Sequence, residues 1–560
     1  MKSIIRTIIL SAFALAVSIS SPAQIKNQVS GVVTDTNGEP LPGVSVVISG
    51  TFNGTTTGNN GEYIIQASGD DILIYSFIGF KELKVKVGGN SKINVSLEED
   101  SMMIEETVVT ALGIKRSEKA LGYAVTKVDN EALTNTTTSN WLNGLSGKVA
   151  GLNFDSASAG PSGSIRVTLR GESSLDPSKS EALFVVDGVP INSNMIANQS
   201  SSKSAYDATS VDMPIDYGNG ASDLNPEDIE SVTVLKGASA TALYGSRAAN
   251  GAIVITTKSG KIDKGFGVSL SSSFTWEDAG YWPEFQNEYG AGNRNSMAQE
   301  TYYSFYKVAS EGISASNNHY AFGPRFEGQK FYQYGNVNED GSFYKTDWVA
   351  RDWYKGYFKT GFNTVNTITI QGNNGKGSSG RVSYSDTRNF WITPNGGYNR
   401  QVVSASFTSQ ISKWINIGVR ATYNRKQSDN LPMSGYGRAT IPGSLVWLSP
   451  NVDINWLKDY GKIAAENDYN RNNQFYSVAD SPYMIAYEQT NTMERHRVYG
   501  NVFASIDFTD WLNLMVRCGM DLSSDLRTLS KPWGSHSYNH GRFQENIISQ
   551  HEVNTDFLLK

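Results

Sequence analysis

The alternation of apolar and polar side chains in the C-terminal half constrains the fold of this 560-residue chain most strongly. Within residues 415–425, Ile417, Val419 and Ala421 alternate with polar residues that include Arg420. A repeat of two is the period of a β-strand. Long strands with an apolar outer face and a polar inner face are typical of transmembrane β-barrels. The pattern therefore predicts a mainly β fold that crosses a membrane with strands.

Charged residues of these segments fall on the polar face. Arg420, Arg517 and Asp521 all alternate with apolar neighbours. A charge on the lipid face of such a barrel costs about 2–4 kcal/mol at the bilayer midplane. We therefore expect these three side chains to point into the lumen.

The connections between the segments alternate in length. Short periplasmic turns and long extracellular loops are the known asymmetry of outer-membrane barrels, and a soluble sandwich does not explain that order. Short connections are expected at 372–380, 412–413 and 509–510, and long ones at 277–361, 426–494 and 524–542. Strands are expected near residues 265–275, 363–372, 380–390, 400–411, 415–425, 496–508, 512–523 and 544–560.

These eight strands are too few for the expected barrel. An eight-stranded barrel encloses only its own side chains, whereas plugged barrels have about 22 strands. An open sheet edge is not tolerated in lipid. Residues 261–560 are therefore expected to form the first part of a large antiparallel barrel, with further strands beyond Lys560.

Residues 216–260 predict a compact α+β unit. Asn225 suits a helix N-cap and Pro226 the first helical position. Strands are expected at 230–235 and 251–257, with a short helix at 238–244 between them.

This stretch resembles the plug domain of TonB-dependent outer-membrane transporters in their SusC/RagA form. The run LNPEDIESVTVLKGASATALYGSRAANGAIVITTKSG carries the resemblance. Further matches at 164–171 and 182–190 extend it, so a plug is expected over residues 115–260. In the family, charge pairs hold the plug to the barrel wall, and the resemblance implies that role for Arg170, Glu230 and Arg247. Each is alternatively an ordinary solvated charge.

The N-terminal quarter predicts a leader followed by a small β-sandwich. Residues 1–23 combine basic residues, an apolar core too short to span a membrane, and small residues before a cleavage site. They predict a secretory signal peptide rather than a membrane anchor. Short strands and Asn-Gly turns over residues 24–98 predict the sandwich, which resembles a carboxypeptidase-regulatory-like domain.

An acidic linker with a short β-prone core joins the sandwich to the expected plug at residues 99–114. It resembles the TonB box of the family, a segment that adds as a strand to a sheet edge of TonB. The alternative is an ordinary interdomain linker. The best match consists of Glu105, Glu106, Thr107, Val108, Val109 and Thr110.

The remaining features exclude several classes of function. A net charge of −6 gives no excess of positive charge for binding nucleic acid. A single cysteine allows no internal disulfide. Residues 141–148 lack the spacing of a phosphate-binding loop, and Val149 stands where Ser or Thr is required. His536 and His540 lie four apart without further metal ligands. We therefore expect no catalytic site, metal or cofactor.

Aromatic residues in the long connections leave two interpretations open. They suit stacking against sugars, or they form an interface girdle or pack the loops. The residues are Tyr302, Tyr303, Phe305, Tyr306, Trp348, Trp353, Tyr354, Tyr436, Trp447 and Trp456.

Taken with the resemblance, the sequence predicts an active importer in the outer membrane of a Gram-negative bacterium. The family implies TonB, a SusD-like surface lipoprotein and the membrane lipid as partners. It implies an oligosaccharide or oligopeptide as cargo, but the substrate-contacting residues stay unknown. The alternatives are a non-transporting surface receptor or adhesin and a truncated, inactive product.

Overall fold

The computed structural model divides the chain into two compact units, residues 1–106 and 107–560. None of the described helices has the length and apolar character needed to cross a membrane. The structure describes residues 27–51, 53–77, 79–98, 107–109, 115–117, 125–134, 140–156, 160–175, 179–193, 215–260, 265–291, 323–337, 343–433, 440–460, 479–535 and 538–560. The expected signal peptide at 1–23 lies outside these residues.

The first unit contains two small sheets around one apolar core. Alternate residues of its strands are buried, and Tyr63 and Tyr75 from the two sheets hydrogen-bond through their hydroxyls at 2.6 Å. The three-stranded sheet has the order β4-β1-β7 and the four-stranded sheet the order β3-β2-β5-β6. The expected sandwich is therefore confirmed. Its strands are β1 (Asn27–Asp35), β2 (Ser45–Ile48), β3 (Gly54–Thr56), β4 (Glu62–Ala67), β5 (Ile72–Ser76), β6 (Leu83–Lys86) and β7 (Val95–Leu97).

The second unit begins with the α+β region expected from the sequence. A five-stranded sheet of order β10-β15-β16-β13-β14 carries its core, and β8-β9 and β11-β12 form separate pairs. Two α-helices, α1 (Asn130–Thr134) and α2 (Ala238–Tyr244), accompany the sheet. The strands are β8 (Thr107–Val109), β9 (Lys115–Ser117), β10 (Val125–Asp129), β11 (Leu152–Ser156), β12 (Ile165–Leu169), β13 (Leu183–Val186), β14 (Val189–Pro190), β15 (Ile229–Leu235) and β16 (Ala252–Thr257).

Local sequence signals correctly predicted the turn after Asn225 and the helix that ends at Gly245. Asn225 caps a 3₁₀ turn at Pro226–Asp228 by accepting a hydrogen bond from the Glu227 amide. Helix α2 has the expected bounds and ends at Gly245, whose φ of 68° favours glycine. We call the folded region from β10 to β16 the plug.

An eight-stranded antiparallel sheet, here called the wall, forms the rest of the unit. Its order is β17-β20-β21-β22-β23-β24-β25-β26, and one face lies against the plug. The wall strands are β17 (Gly265–Glu277), β20 (Gly361–Asn373), β21 (Ser378–Phe390), β22 (Gly397–Ser412), β23 (Ile415–Asn430), β24 (Asn491–Thr509), β25 (Leu512–Ser535) and β26 (Tyr538–Leu559).

The long connections contain regular structure of their own. They include a hairpin of β18 (Lys330–Val337) and β19 (Phe343–Asp347), and two short helices, α3 (Ile441–Val446) and α4 (Pro482–Tyr487). Further 3₁₀ turns lie at Trp141–Leu145, Gly245–Ala248, Lys355–Tyr357 and Ile454–Asp459.

One expected loop is wrong. Residues 524–542 were expected to form a long connection, but β25 and β26 pair through this region up to Ser535 and Tyr538. Asp525 and Arg527 in this region are both buried on the inner face. The strict alternation with Leu526 and Thr528 continues there, so the charges belong to a strand that faces the plug.

Candidate functional site

Asp223, in the plug segment before β15, lies at the centre of a buried charge cluster. Its Oδ2 accepts a hydrogen bond of 2.9 Å from Arg495 of the wall strand β24. Lys426 Nζ lies 3.7 Å from Oδ1, and Arg497 Nη1 lies 3.9 Å from Oδ2. All four side chains are almost completely buried. The acid therefore stands among three cations that project inward from two neighbouring strands.

The surrounding charges stabilise the ionised form of Asp223. Burial alone opposes ionisation, but the attraction of Arg495, Lys426 and Arg497 exceeds that penalty and lowers the pKa of Asp223 to about 2. Removing one partner from such a buried set is costly, because the others stay in the interior without compensation. The cluster therefore favours the docked plug.

This shift predicts how docking depends on pH. A carboxyl whose pKa falls from 3.8 to about 2 stabilises the docked plug fully above about pH 4 and loses that contribution as pH falls towards 2. We expect the urea concentration that releases the plug, followed by near-ultraviolet circular dichroism, to differ between the wild type and Asp223→Asn above pH 4. That difference should shrink as pH approaches 2. A difference that stays constant over this range would contradict the assignment.

A second acid, Asp228, joins the plug to strand β21. Its Oδ1 lies 2.8 Å from Arg381 Nη2 and accepts a 2.6 Å hydrogen bond from Ser383. Asn225 donates a hydrogen bond to Ser385 on the same strand. The 3₁₀ turn Pro226–Asp228 presents these side chains together, so the local cap also docks the plug.

The tip of the β13–β14 hairpin forms a third contact with the wall. Asp187 and Gly188 have φ values of 49° and 82°, as a two-residue type I′ turn requires. Asp187 Oδ1 lies 3.0 Å from Arg420, and Arg517 donates a hydrogen bond to the Asp187 carbonyl. Arg517 is itself held by Asp556 at 2.6 Å.

Alanine at Gly188 is expected to weaken docking for two reasons. The left-handed backbone costs a non-glycine residue about 1–2 kcal/mol. A Cβ at this position would also lie 2.0 Å from Arg517 Nη1. We expect Gly188→Ala to lower the urea midpoint for trypsin cleavage of the plug.

Gly171→Ala is the matched control for this variant. Gly171 has a φ of 92°, but no atom lies within 4 Å of a Cβ placed there. It therefore carries the backbone strain without the collision. If the two variants lower the urea midpoint for trypsin cleavage equally, the contact with Arg517 contributes nothing to docking.

The three charges predicted to hold the plug occupy different places. Arg247 lies 2.6 Å from Glu552 of β26, in a pair whose arginine side chain is 49% exposed. Such exposed pairs contribute about 0–1 kcal/mol. Arg170 is exposed on the plug at a left-handed φ of 65°, and Glu230 is half-buried in β15. Their role in holding the plug stays a prediction.

The sequence did not predict the charged interface that three plug residues, Asp187, Asp223 and Asp228, form with the wall. The available signal was the series of cations predicted to face inward from the wall, such as Arg420 and Arg517, because buried charges require counterions.

The proposed TonB box is described only in part. Thr107–Val109 forms strand β8, which pairs antiparallel with Lys115–Ser117 so that Val108 lies opposite Arg116. Glu105, Glu106 and Thr110 lie outside the described residues. The segment is therefore able to adopt the extended conformation that strand addition requires, while its role as a TonB box stays a prediction.

Several aromatic residues of the long connections pack against one another. Trp353 and Tyr357 are buried with Ile441, Leu457 and Tyr483 in a separate apolar core. Trp348 is also buried. For Trp348 and Trp353, burial favours the packing interpretation over stacking against sugars. Tyr302, Tyr303, Phe305, Tyr306, Tyr436 and His536 lie outside the described residues.

The outer face of the wall carries a continuous apolar row. Hydrogen-bonded registers place one outward residue of each strand side by side across all eight strands. The outward apolar row consists of Val268, Ile370, Val382, Ala405, Ala421, Gly500, Met520 and Val553.

Four residues further along the strands, towards the long connections, the same face becomes polar. Arg425 pairs there with Glu494, and His496 accepts or donates a hydrogen bond with Tyr423. Exposed apolar residues continue beyond this row on the outer strands of the sheet, among them Phe274 of β17 and Ile547 of β26. The outward polar row consists of Ser272, Asn366, Asp386, Gln401, Arg425, His496, Ser524 and Ser549.

An α+β plug on the polar inner face of an outwardly apolar sheet defines a plugged β-barrel protein. The family models agree: residues 29–109 match the CarboxypepD_reg-like domain, and residues 117–252 match the TonB-dependent Receptor Plug Domain. These two matches and the curated relatives support a TonB-dependent receptor of the SusC/RagA type.

Curated relatives carry the same assignment. The chain is 38% identical over 248 residues to TonB-dependent receptor SusC of Bacteroides thetaiotaomicron, which covers 44% of this chain and 22% of the relative. It is 28% identical over 518 residues to TonB-dependent receptor P3 of Formosa agariphila, which covers 91% and 43% respectively. The chain thus spans less than half the length of these relatives.

Solved structures share the fold. The RagAB peptide importer in its open-open state superposes with a TM-score of 0.56 and 20% identity, covering 80% of this chain and 46% of that chain. In the closed-closed state the TM-score is 0.51 at 21% identity, covering 78% and 44%.

Proposed function

We propose that the protein imports an oligomeric nutrient across the bacterial outer membrane, with TonB supplying the force that displaces the plug. The observation that carries this proposal is the docking of acidic plug residues onto a basic inner wall. Asp223, Asp228 and Asp187 each meet at least one arginine of the wall strands. Ion pairs of this kind hold the plug against the wall, yet they break without any covalent change, so the plug can be displaced.

The two outward rows support an orientation in the membrane. The outward apolar row lies in the hydrocarbon region and the outward polar row at the headgroup level. From Ile415, beside a short turn, to Tyr423, just below the polar row, the strand advances eight residues, or about 26 Å along its axis. Strand tilt reduces this height to roughly 20 Å, close to the apolar band of such barrels. The long connections then lie outside the cell.

The domain organisation follows from the same proposal. Residues 1–23 direct secretion, 24–98 form the sandwich, 99–114 carry the TonB box, 115–260 form the plug and 261–560 begin the barrel. Glu105–Thr110 adds to a sheet edge of TonB, and Arg170, Glu230 and Arg247 contribute to holding the plug.

The relatives support the partners and the class of cargo. One solved relative is the RagAB peptide importer, and a curated relative is TonB-dependent receptor SusC. We propose a SusD-like surface lipoprotein as the partner and an oligopeptide or oligosaccharide as cargo. The matched relatives are receptors and transporters, which supports a role in transport rather than catalysis.

The test is accumulation of labelled oligopeptides and oligosaccharides by cells that produce the natural protein. Accumulation should stop when a protonophore collapses the inner-membrane proton gradient, whereas binding at the cell surface should persist. A strain that lacks the gene supplies the background. Accumulation that continues without the gradient would exclude energised import, and binding without any accumulation would indicate a surface receptor.

A further inference from the structure

Three cations lie side by side on the inner face of the wall. Arg400 of β22 is in register with Lys426 of β23, which is in register with Arg495 of β24. All three side chains are buried, with exposed fractions of 7%, 3% and 5%. Like charges directly opposite one another on neighbouring strands are destabilising. The row therefore requires an anion, and we call it the cation triad.

In the docked state, the plug provides that anion. Asp223 bonds to Arg495 and lies 3.7 Å from Lys426, while Arg400 donates a hydrogen bond of 3.3 Å to the Ser222 carbonyl. The plug does not saturate the triad. Buried Arg400 Nε and Asp223 Oδ1 have no hydrogen-bond partner among the described residues.

Among the described wall residues, Asp525 forms ion pairs with the triad, at its Arg495 end. Asp525 pairs with Arg495 and also with Arg527. In the described part of the chain, the ion-pair partner of Lys426 is Asp223, and Arg400 has a plug carbonyl. When the plug moves away, Arg400 and Lys426 lose these partners and face the open channel.

Resting on the import proposed above, we infer that the cation triad is an anion-binding site on the channel wall that Asp223 occupies at rest. Its ligand is an acidic group of the cargo, a carboxylate or sulfate carried by an oligomer. Arginine and lysine donate charge-assisted hydrogen bonds to such groups. The cargo then replaces the plug carboxylate along the channel, and the triad favours anionic over neutral oligomers.

The first experiment examines the wall without any cargo. The natural protein is placed in planar bilayers, urea at a concentration that loosens the plug is added, and reversal potentials are measured across a KCl gradient. We expect chloride to permeate more readily than potassium, and we expect Arg400→Gln with Lys426→Gln to reduce that preference roughly threefold.

Arg388→Gln is the matched control for this measurement. Arg388 lies on β21 but faces outward, and its side chain is 64% exposed. The substitution removes one positive charge from the wall without altering the triad, so the preference should not change. A wild-type channel without anion preference, or an equal effect of Arg388→Gln, would overturn the inference.

The second experiment compares cargo of equal size. Cells receive a peptide with aspartates or its asparagine counterpart, and a uronate-bearing glycan or its neutral counterpart. In at least one pair, gradient-driven uptake of the acidic member should be about tenfold higher, as one charge-assisted contact implies. The Arg400→Gln and Lys426→Gln double variant should lower the ratio of acidic to neutral uptake for that pair.

The outcomes separate this inference from the proposed function. Equal uptake of acidic and neutral members would overturn the anion site and leave energised import standing. If no probe enters the cells, the import proposal fails for these cargo classes, and the bilayer measurement alone then decides whether the triad binds anions.

Discussion

Replacing Val108 with proline is expected to reduce energised uptake by about a hundredfold or more. Proline removes the backbone amide that a strand adding to TonB would donate, and for this reason it is excluded from the middle of a β-sheet. Val108 lies in the middle of β8, so the substitution interrupts the segment at its centre. The measurement is gradient-dependent accumulation of the labelled cargo.

Two controls make this result specific. Arg116 lies opposite Val108 in the β8–β9 pair, so Arg116→Pro disturbs the same hairpin without changing the proposed TonB box. Val108→Ala removes most of the side chain but keeps the amide. Both variants should import normally, and all three should reach the outer-membrane fraction in equal amounts. Normal uptake by Val108→Pro, or equal loss in Arg116→Pro, would contradict the assignment.

Elements set by neighbouring residues were predictable from the sequence. Helix α2 has the expected bounds because caps and turn residues act within a few positions. The inward direction of Arg517 and Asp521 followed from alternation alone, and both are buried against the plug.

The contacts that hold the plug were not predictable in the same way. Asp223 and Arg495 are 272 positions apart, and only the fold brings them together. The residues 524–542 were misassigned for a related reason: Asp525 and Arg527 suggest solvent unless the plug that covers them is known. Charge pattern thus predicts which face a side chain occupies but not which partner lies across from it.

Replacing Asp223 with asparagine is expected to weaken the docked plug by about 3–5 kcal/mol, because buried cations lose their common anion. Arg495 keeps Asp525, but Lys426 loses its ion-pair partner among the described residues. The urea concentration at which trypsin first cleaves the plug should fall. Cells should also become sensitive to a bulky antibiotic that the closed barrel excludes.

Asp386→Asn is the comparison for this variant, because Asp386 pairs with the exposed Arg388 on the outer face and such pairs contribute about 0–1 kcal/mol.

The combination of Asp223→Asn with Lys426→Met removes the acid together with one cation that depends on it. If the loss in Asp223→Asn arises from uncompensated buried charge, the double variant recovers part of the urea resistance, since the two changes are coupled. If the double variant instead loses the sum of both single effects, the acid stabilises the plug through contacts other than this charge cluster. The same cycle measures how strongly the plug is held, which in the proposed mechanism is the free energy that TonB has to overcome to open the channel.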